Sequence, residues 1–106
     1  MLLPFGLLFA ENLSPANTHL LKETTIPEIS LENANIREAL DTLRALTKKD
    51  DLEVNFVISP EVKVEETNLT FTIRGVSGVD AFATILQMSG TRAELKLGSV
   101  WILPNP

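Results

Sequence analysis

The sequence predicts an α+β domain in which two helices pack between two small sheets. Three observations lead to this fold class: two amphipathic helical stripes, short alternating segments typical of strands, and repetition of a strand–helix unit at a fixed offset. The chain has 106 residues, 44% hydrophobic and 22% charged, which matches one globular domain with one core. The predicted order is strand, helix, strand, strand, helix, strand, strand, a β-α-β-β-α-β-β pseudo-repeat.

The first strand–helix unit begins with a short strand from Ile26 to Leu31. Pro27 lies among its first residues, where the missing ladder donor is tolerated. Asn35 then stands three residues before Glu38, which is the spacing of a capping box. The helix that follows has apolar residues at helical intervals: Ile36, Ala39, Leu40, Leu43 and Leu46.

The second unit repeats this design. Leu69, Phe71 and Ile73 alternate with polar residues, as in a strand, and Ser77 precedes a second apolar helical stripe: Ala81, Phe82, Ile85, Leu86 and Met88. Gly90 follows this stripe, where a left-handed helix C-cap is expected. One unit alone has no partner for its helix face, so we expect the two helices to lie side by side and share one core.

The remaining strands connect and close these units. Alternation over Leu52 to Ile58 predicts a half-buried strand, and a shorter one is predicted around Val62 and Val64. At the C-terminal end, the apolar segments from Ala93 to Leu97 and from Val100 to Leu103 flank Gly98-Ser99. This arrangement is typical of a tight hairpin.

Two segments of different character precede the predicted domain, which spans residues 26–104. Residues 1–10, MLLPFGLLFA, are uncharged and mostly apolar, but a transmembrane helix needs about 20 apolar residues. They fit either a signal-peptide remnant cleaved after Ala10 or an apolar arm on the domain. Residues 11–25 lack periodicity and predict a linker with a short turn near His19. A signal remnant indicates a periplasmic or cell-envelope location; without one, the location is cytoplasmic.

Composition excludes several classes of function. The absence of cysteine excludes disulfides, thiol nucleophiles and zinc–thiolate sites, and the single histidine, His19, excludes a multi-histidine metal centre. The net charge of −5 comes without a basic cluster, so no nucleic-acid partner is expected. The carboxylates are spread along the chain and no serine has a base nearby. We therefore expect no catalytic residue, metal or cofactor.

The order of these segments resembles a known small domain. ISLENANIREALDTLRAL, LEVNFVISPEV, LTFTIRGVSGVDAFATILQMSG and AELKLGSVWIL follow one another as in the secretin and TonB short N-terminal (STN) domain, especially the planctomycete- and verrucomicrobial-type variants. The resemblance implies docking on another envelope protein, such as an inner-membrane regulator or a secretion component. No channel or barrel sequence follows Pro106, so we expect either a fragment or a free-standing version of the domain.

Three residues are candidates for contact with a partner. Trp101 alternates with Leu103 on one face of the last strand; it is either an exposed anchor, as tryptophan often is at binding hot spots, or buried under the N-terminal arm or a helix. Val62 and Val64 belong either to an edge strand that extends a partner's sheet or to an edge blunted by neighbouring charges, those of Lys63, Glu65 and Glu66.

The leading hypothesis from sequence is a non-catalytic docking domain that binds another protein through a sheet edge. One alternative is a self-association module that forms a dimer or a ring through its apolar strand faces. Another is a domain that binds a small ligand or glycan between the helices and a sheet.

Overall fold

A computed structural model of the chain describes residues 16–106 and confirms the α+β fold class with two small sheets. The elements are α1 (His19–Glu23), β1 (Thr25–Ala34), α2 (Ile36–Thr47), β2 (Phe56–Ile58), a 3-10 helix (Val64–Glu66), β3 (Leu69–Ser77), α3 (Gly78–Ser89), β4 (Thr91–Lys96) and β5 (Ser99–Pro104). The signal remnant or arm predicted at residues 1–10, and residues 11–15 of the predicted linker, lie outside the described residues.

The two strand–helix units are joined by a two-stranded antiparallel sheet of β1 and β3. Ile29 pairs with Ile73 on its buried side. On its exposed side, Arg74 Nε donates a hydrogen bond to Glu28 Oε1 at 2.7 Å. One face of this sheet therefore belongs to the core and the other is polar, as the alternation in the sequence predicts.

The alternation of buried and exposed residues in β1 is interrupted at Pro27. Ile26 and Ile29 are both fully buried, although residues an odd number apart point to opposite faces of a regular strand. Gly75, opposite Pro27 in the register, has a φ of +66°, a conformation that glycine adopts at little cost. The sheet is therefore irregular at this point, and Ile26 still reaches the core.

The second sheet has the order β2-β5-β4, with β5 parallel to β2 and antiparallel to β4. The β4–β5 turn is formed by Leu97 and Gly98, with φ values of 53° and 72°, as a type I′ turn requires. The predicted hairpin is confirmed, but Ser99 already belongs to β5. The turn is therefore one residue earlier than the sequence pattern indicated.

Both long helices begin at the predicted caps. Asn35 Oδ1 accepts from the Glu38 amide and the Asn35 amide donates to Glu38 Oε1, both at 2.9 Å, a complete capping box. Ser77 Oγ accepts from the Asp80 amide at 3.1 Å. Gly90 ends α3 in the left-handed conformation. Among residues 16–106, no helix has the length and apolar character needed to cross a bilayer.

The core lies where the helices meet the sheets. α2 contacts α3 and β1, and α3 contacts β1, β3 and β4. Leu43 and Ile85, which occupy equivalent positions in the two units, are both fully buried. The predicted shared core is therefore present. Leu46 and Met88, at the C-terminal ends of the two predicted stripes, are instead exposed.

The predicted linker is wrong from Ala16 onward. His19 to Glu23 form α1, and Leu20 and Leu21 are buried in the core. Helix α1 is only five residues long, so it shows no helical periodicity that the sequence could reveal. His19 itself is exposed. The folded domain thus begins before residue 26.

The strand predicted from Leu52 to Ile58 is also shorter than expected. Only Phe56–Ile58 form β2, because the preceding residues make hydrogen bonds with other partners. Leu52 is bridged back to Lys49, and Asn55 Nδ2 donates to Ser99 Oγ at 2.8 Å. The loop before β2 is thus fixed to the start of β5.

Candidate functional site

The outer face of the three-stranded sheet contains the candidate Trp101. Along β5, Val100 and Ile102 are buried and face the core, so the alternation places Trp101 and Leu103 on the outer side. The strand register adds neighbouring residues to this side. We call the set the Trp101 face: Val57, Arg92, Glu94, Lys96, Trp101 and Leu103.

Trp101 lies at the centre of this face. It pairs with Val57 on one neighbouring strand and with Glu94 on the other. Lys96 Nζ lies 4.8 Å from the centroid of the indole ring, within the range of a cation–π contact. Trp101 is half-buried, so its position lies between the two alternatives that the sequence left open.

The indole nitrogen of Trp101 is the least satisfied polar group of this face. Nε1 is shielded from solvent and has no hydrogen-bond partner among the described residues. Indole nitrogen is a donor only, and a desolvated donor without an acceptor costs roughly 1–3 kcal/mol. Because this nitrogen is shielded, a partner that contacts the face meets the exposed part of the indole ring and not its N–H.

The charged residues of the face form a local pair beside Trp101. Arg92 Nη1 lies 2.7 Å from Glu94 Oε2. The hydrogen bond from Arg92 lowers the pKa of the Glu94 carboxyl, and the positive charges of Arg92 and Lys96 lower it further. The face therefore combines an aromatic centre with a rim of both charges.

The structure places Val62 and Val64 outside the Trp101 face and in no strand. The segment forms a turn and a 3-10 helix instead of the predicted edge strand. The Val62 amide donates to the Ser59 carbonyl at 3.0 Å and the Glu66 amide to the Lys63 carbonyl at 3.0 Å. These local bonds use backbone groups that an added strand would need.

The side chains of Val62 and Val64 contribute mainly to packing. Val62 is buried and Val64 packs against the core. They also line a surface cleft of about 470 Å³ next to the N-terminus of α2. Strand addition at this segment is therefore wrong, and a contact of these two side chains with a partner stays a prediction.

Two exposed leucines near the hairpin turn were not singled out as functional from the sequence. Leu95 is 66% exposed and Leu97 is 88% exposed. Both continue the apolar alternation of Ala93, which suggested a buried strand face. The signal that distinguishes them is the turn, because the residues near a hairpin tip extend beyond the core that they would otherwise cover.

Comparisons with protein-family models, with curated proteins and with solved structures each find no match for this chain. Within residues 16–106, no three histidine or acidic side chains are grouped so that they could hold a metal ion.

Proposed function

We propose that this chain is a non-catalytic protein–protein interaction domain of the bacterial cell envelope. In this proposal it docks on another envelope protein, as its resemblance to the N-terminal domain of secretins and TonB-dependent transducers implies. The apolar, uncharged segment at residues 1–10 supports an envelope location through its similarity to a signal-peptide remnant. The docking surface in this proposal is the Trp101 face.

The observation that carries the proposal is the partly exposed indole ring of Trp101 at the centre of that face. A large aromatic side chain surrounded by polar residues is the usual anatomy of a binding hot spot. At Trp101 the side chain is already partly buried, so less side-chain entropy is lost on binding than for a fully exposed side chain.

The residues around Trp101 define the chemistry of that partner. Val57 and Leu103 provide apolar contact on the same side of the sheet, and Arg92 and Lys96 provide exposed positive charge. A complementary surface therefore has an apolar patch that covers the indole ring, and acidic groups at its rim.

The test is site-specific photocrosslinking in the native host. A photoreactive residue at position 103 samples the Trp101 face, and one at position 72 samples the polar side of the β1–β3 sheet as a control. We expect position 103 to crosslink one envelope protein and position 72 not to. The Trp101→Ala variant should lose the product, while Trp101→Phe should retain part of it.

The sequence has a single tryptophan, so fluorescence gives a second, direct measurement. Titration of the purified partner should shift the emission of Trp101, and the shift should be absent when the partner's acidic rim residues are neutralised. If the crosslink forms equally at positions 72 and 103, or survives Trp101→Ala unchanged in a folded variant, the proposal is wrong.

A further inference from the structure

Strand β4 has one free edge among the residues that the structure describes. In the order β2-β5-β4, it is the terminal strand of its sheet. The Asn105 amide donates to the Gly90 carbonyl at 3.2 Å, and Lys96 pairs with Ser99 across the two-residue turn. Even-numbered residues of β4 therefore direct their backbone groups toward β5, and odd-numbered residues direct theirs outward.

The other strand edges are less suited to pairing. β1 contains Pro27 and a register shift between Leu31 and Ala34, and β3 contains Gly75 in a left-handed conformation. β2 has only three residues and is soon followed by Pro60. By contrast, β4 keeps an unbroken register with β5 from Thr91 to Lys96. A regular open edge of this kind is a template for another strand.

We propose that two copies of this chain pair through β4 as an antiparallel two-fold dimer centred on Ala93. In this register Ala93 faces Ala93 of the second copy, and Thr91 faces Leu95 of the second copy. All of these are odd-numbered positions, so the outward backbone groups meet. The two Ala93 residues then exchange two main-chain hydrogen bonds, and the Thr91–Leu95 pairs lie at the ends of the contact, where Thr91 is only 6% exposed in the single chain. The two three-stranded sheets then become one continuous sheet.

Electrostatics favours an axis at Ala93 over an axis at either adjacent residue, Arg92 or Glu94. With the two-fold axis at Ala93, Arg92 lies opposite Glu94 of the second copy, and the same contact occurs twice by symmetry. An axis at Glu94 would place the two Glu94 carboxylates opposite each other, and one at Arg92 would oppose two guanidinium groups. Like charges directly opposite each other destabilise a sheet.

The dimer also accounts for the exposure of Leu95. This side chain is 66% exposed in the single chain, although its neighbour Val100 across the β4–β5 ladder is buried. In the proposed register Leu95 lies beside Thr91 and diagonal to Ala93 of the second copy, within reach of both. Its exposed apolar surface is then partly covered.

The test is a concentration series of the full chain by sedimentation equilibrium, at low salt. We expect the mass to rise from that of the 11.7 kDa chain toward twice that value. Arg92→Glu and Glu94→Arg should each weaken dimerisation at least about tenfold, since each replaces two attractive contacts by two repulsive ones. An equimolar mixture of the two variants should dimerise again, and so should the double swap carrying both substitutions.

Matched controls come from the exposed ion pair of the other sheet. Arg74→Glu and Glu28→Arg change the net charge by the same amounts as the two test variants but lie away from β4, so dimerisation should not change. Ala93→Pro removes an amide that points to the free edge rather than to β5. It should abolish dimerisation while the circular dichroism spectrum is retained.

A chain that stays monomeric at the highest concentration overturns the inference, as does a dimer that is unaffected by Arg92→Glu and Glu94→Arg. Failure of the mixture and of the double swap to restore dimerisation also overturns the proposed register. None of these results would alter the crosslinking expected at position 103. The inference and the proposed docking function therefore fail separately.

Discussion

The first strand–helix unit, β1 with α2, and the second, β3 with α3, follow one pattern but meet different neighbours at their helix N-termini. Helix α2 begins with the buried side chain of Ile36, whose amide donates to Thr67 Oγ1 at 2.9 Å. The equivalent residue of α3 is Gly78, whose amide donates to the Thr24 carbonyl at 3.0 Å. One helix start is therefore packed by a side chain and the other by the backbone that leads into β1.

This difference shows how a repeat can specialise without losing its shared core. A Cβ at Gly78 would lie 2.7 Å from the Leu21 carbonyl oxygen, so the absence of a side chain allows α1 to approach α3. Farther along the helices, Leu43 and Ile85 are both fully buried. The common core lies at the middle of the helices, and the specific contacts lie at their first residues.

The largest expected effects test the shared core. Leu43→Ala and Ile85→Ala should each lower the free energy of unfolding by roughly 2–5 kcal/mol, because each opens a cavity at a fully buried site. Leu46→Ala and Met88→Ala, at equivalent but exposed positions, should change it by less than about 1 kcal/mol. Urea unfolding measures all four. Similar losses in both pairs would contradict the assigned core.

The next effect tests the specialised helix start. Gly78→Ala should lower the free energy of unfolding by roughly 1–3 kcal/mol, because the added methyl group meets backbone rather than a movable side chain. Val79→Ala, at an exposed neighbouring position, serves as the control in the same thermal melts. A neutral Gly78→Ala would show that α1 is not held closely against α3.

The two caps should differ by a smaller amount. The double variant Asn35→Ala with Glu38→Ala removes both bonds of the capping box and should cost about 1–2 kcal/mol, whereas Ser77→Ala removes one bond and should cost about 0.5–1 kcal/mol. Urea unfolding under identical conditions gives the comparison. A larger loss for Ser77→Ala would mean that the Thr24 carbonyl does not hold the start of α3.

The smallest effect concerns the pKa of Glu94 in β4. This strand follows α3 directly, whereas a longer loop separates α2 from β2. The pKa of the Glu94 carboxyl should lie below its ordinary value, because Arg92 donates a hydrogen bond to its ionised form. This contribution to stability is present above the unfolded-state pKa and is lost as the pH falls through the folded-state pKa. A carboxyl NMR titration should show the pKa rise in Arg92→Gln and stay unchanged in Arg74→Gln.

The sequence was sufficient for those parts of the fold that depend on regular spacing. Asn35 and Ser77 are caps because their side chains act on residues three positions away, and Leu43 and Ile85 lie at the middle of helical stripes that face the core. Helix α1 was not predicted because a helix of five residues is too short to show the helical spacing of apolar residues. The segment at Val62 and Val64 was misassigned because turn hydrogen bonds override a short apolar alternation.

Of the candidate site, the sequence identified Trp101 and its face but not its surroundings. The alternation of side chains along β5 is a local property of the strand. The position of Lys96 over the indole instead depends on the turn at Leu97 and on the register of β4 with β5. The free edge of β4 depends on strand order, which no local pattern contains. Register and strand order arise from tertiary pairing, so these features became visible only in the structure.

The hairpin turn has a practical consequence for experiments on this chain. Leu97 holds a left-handed backbone conformation that favours asparagine or glycine, and its side chain makes little contact with the domain. Replacing it with a cysteine provides an attachment point for a fluorescent dye or a spin label in a sequence that has no other thiol. Reporters placed there would follow assembly without entering the hydrophobic interior.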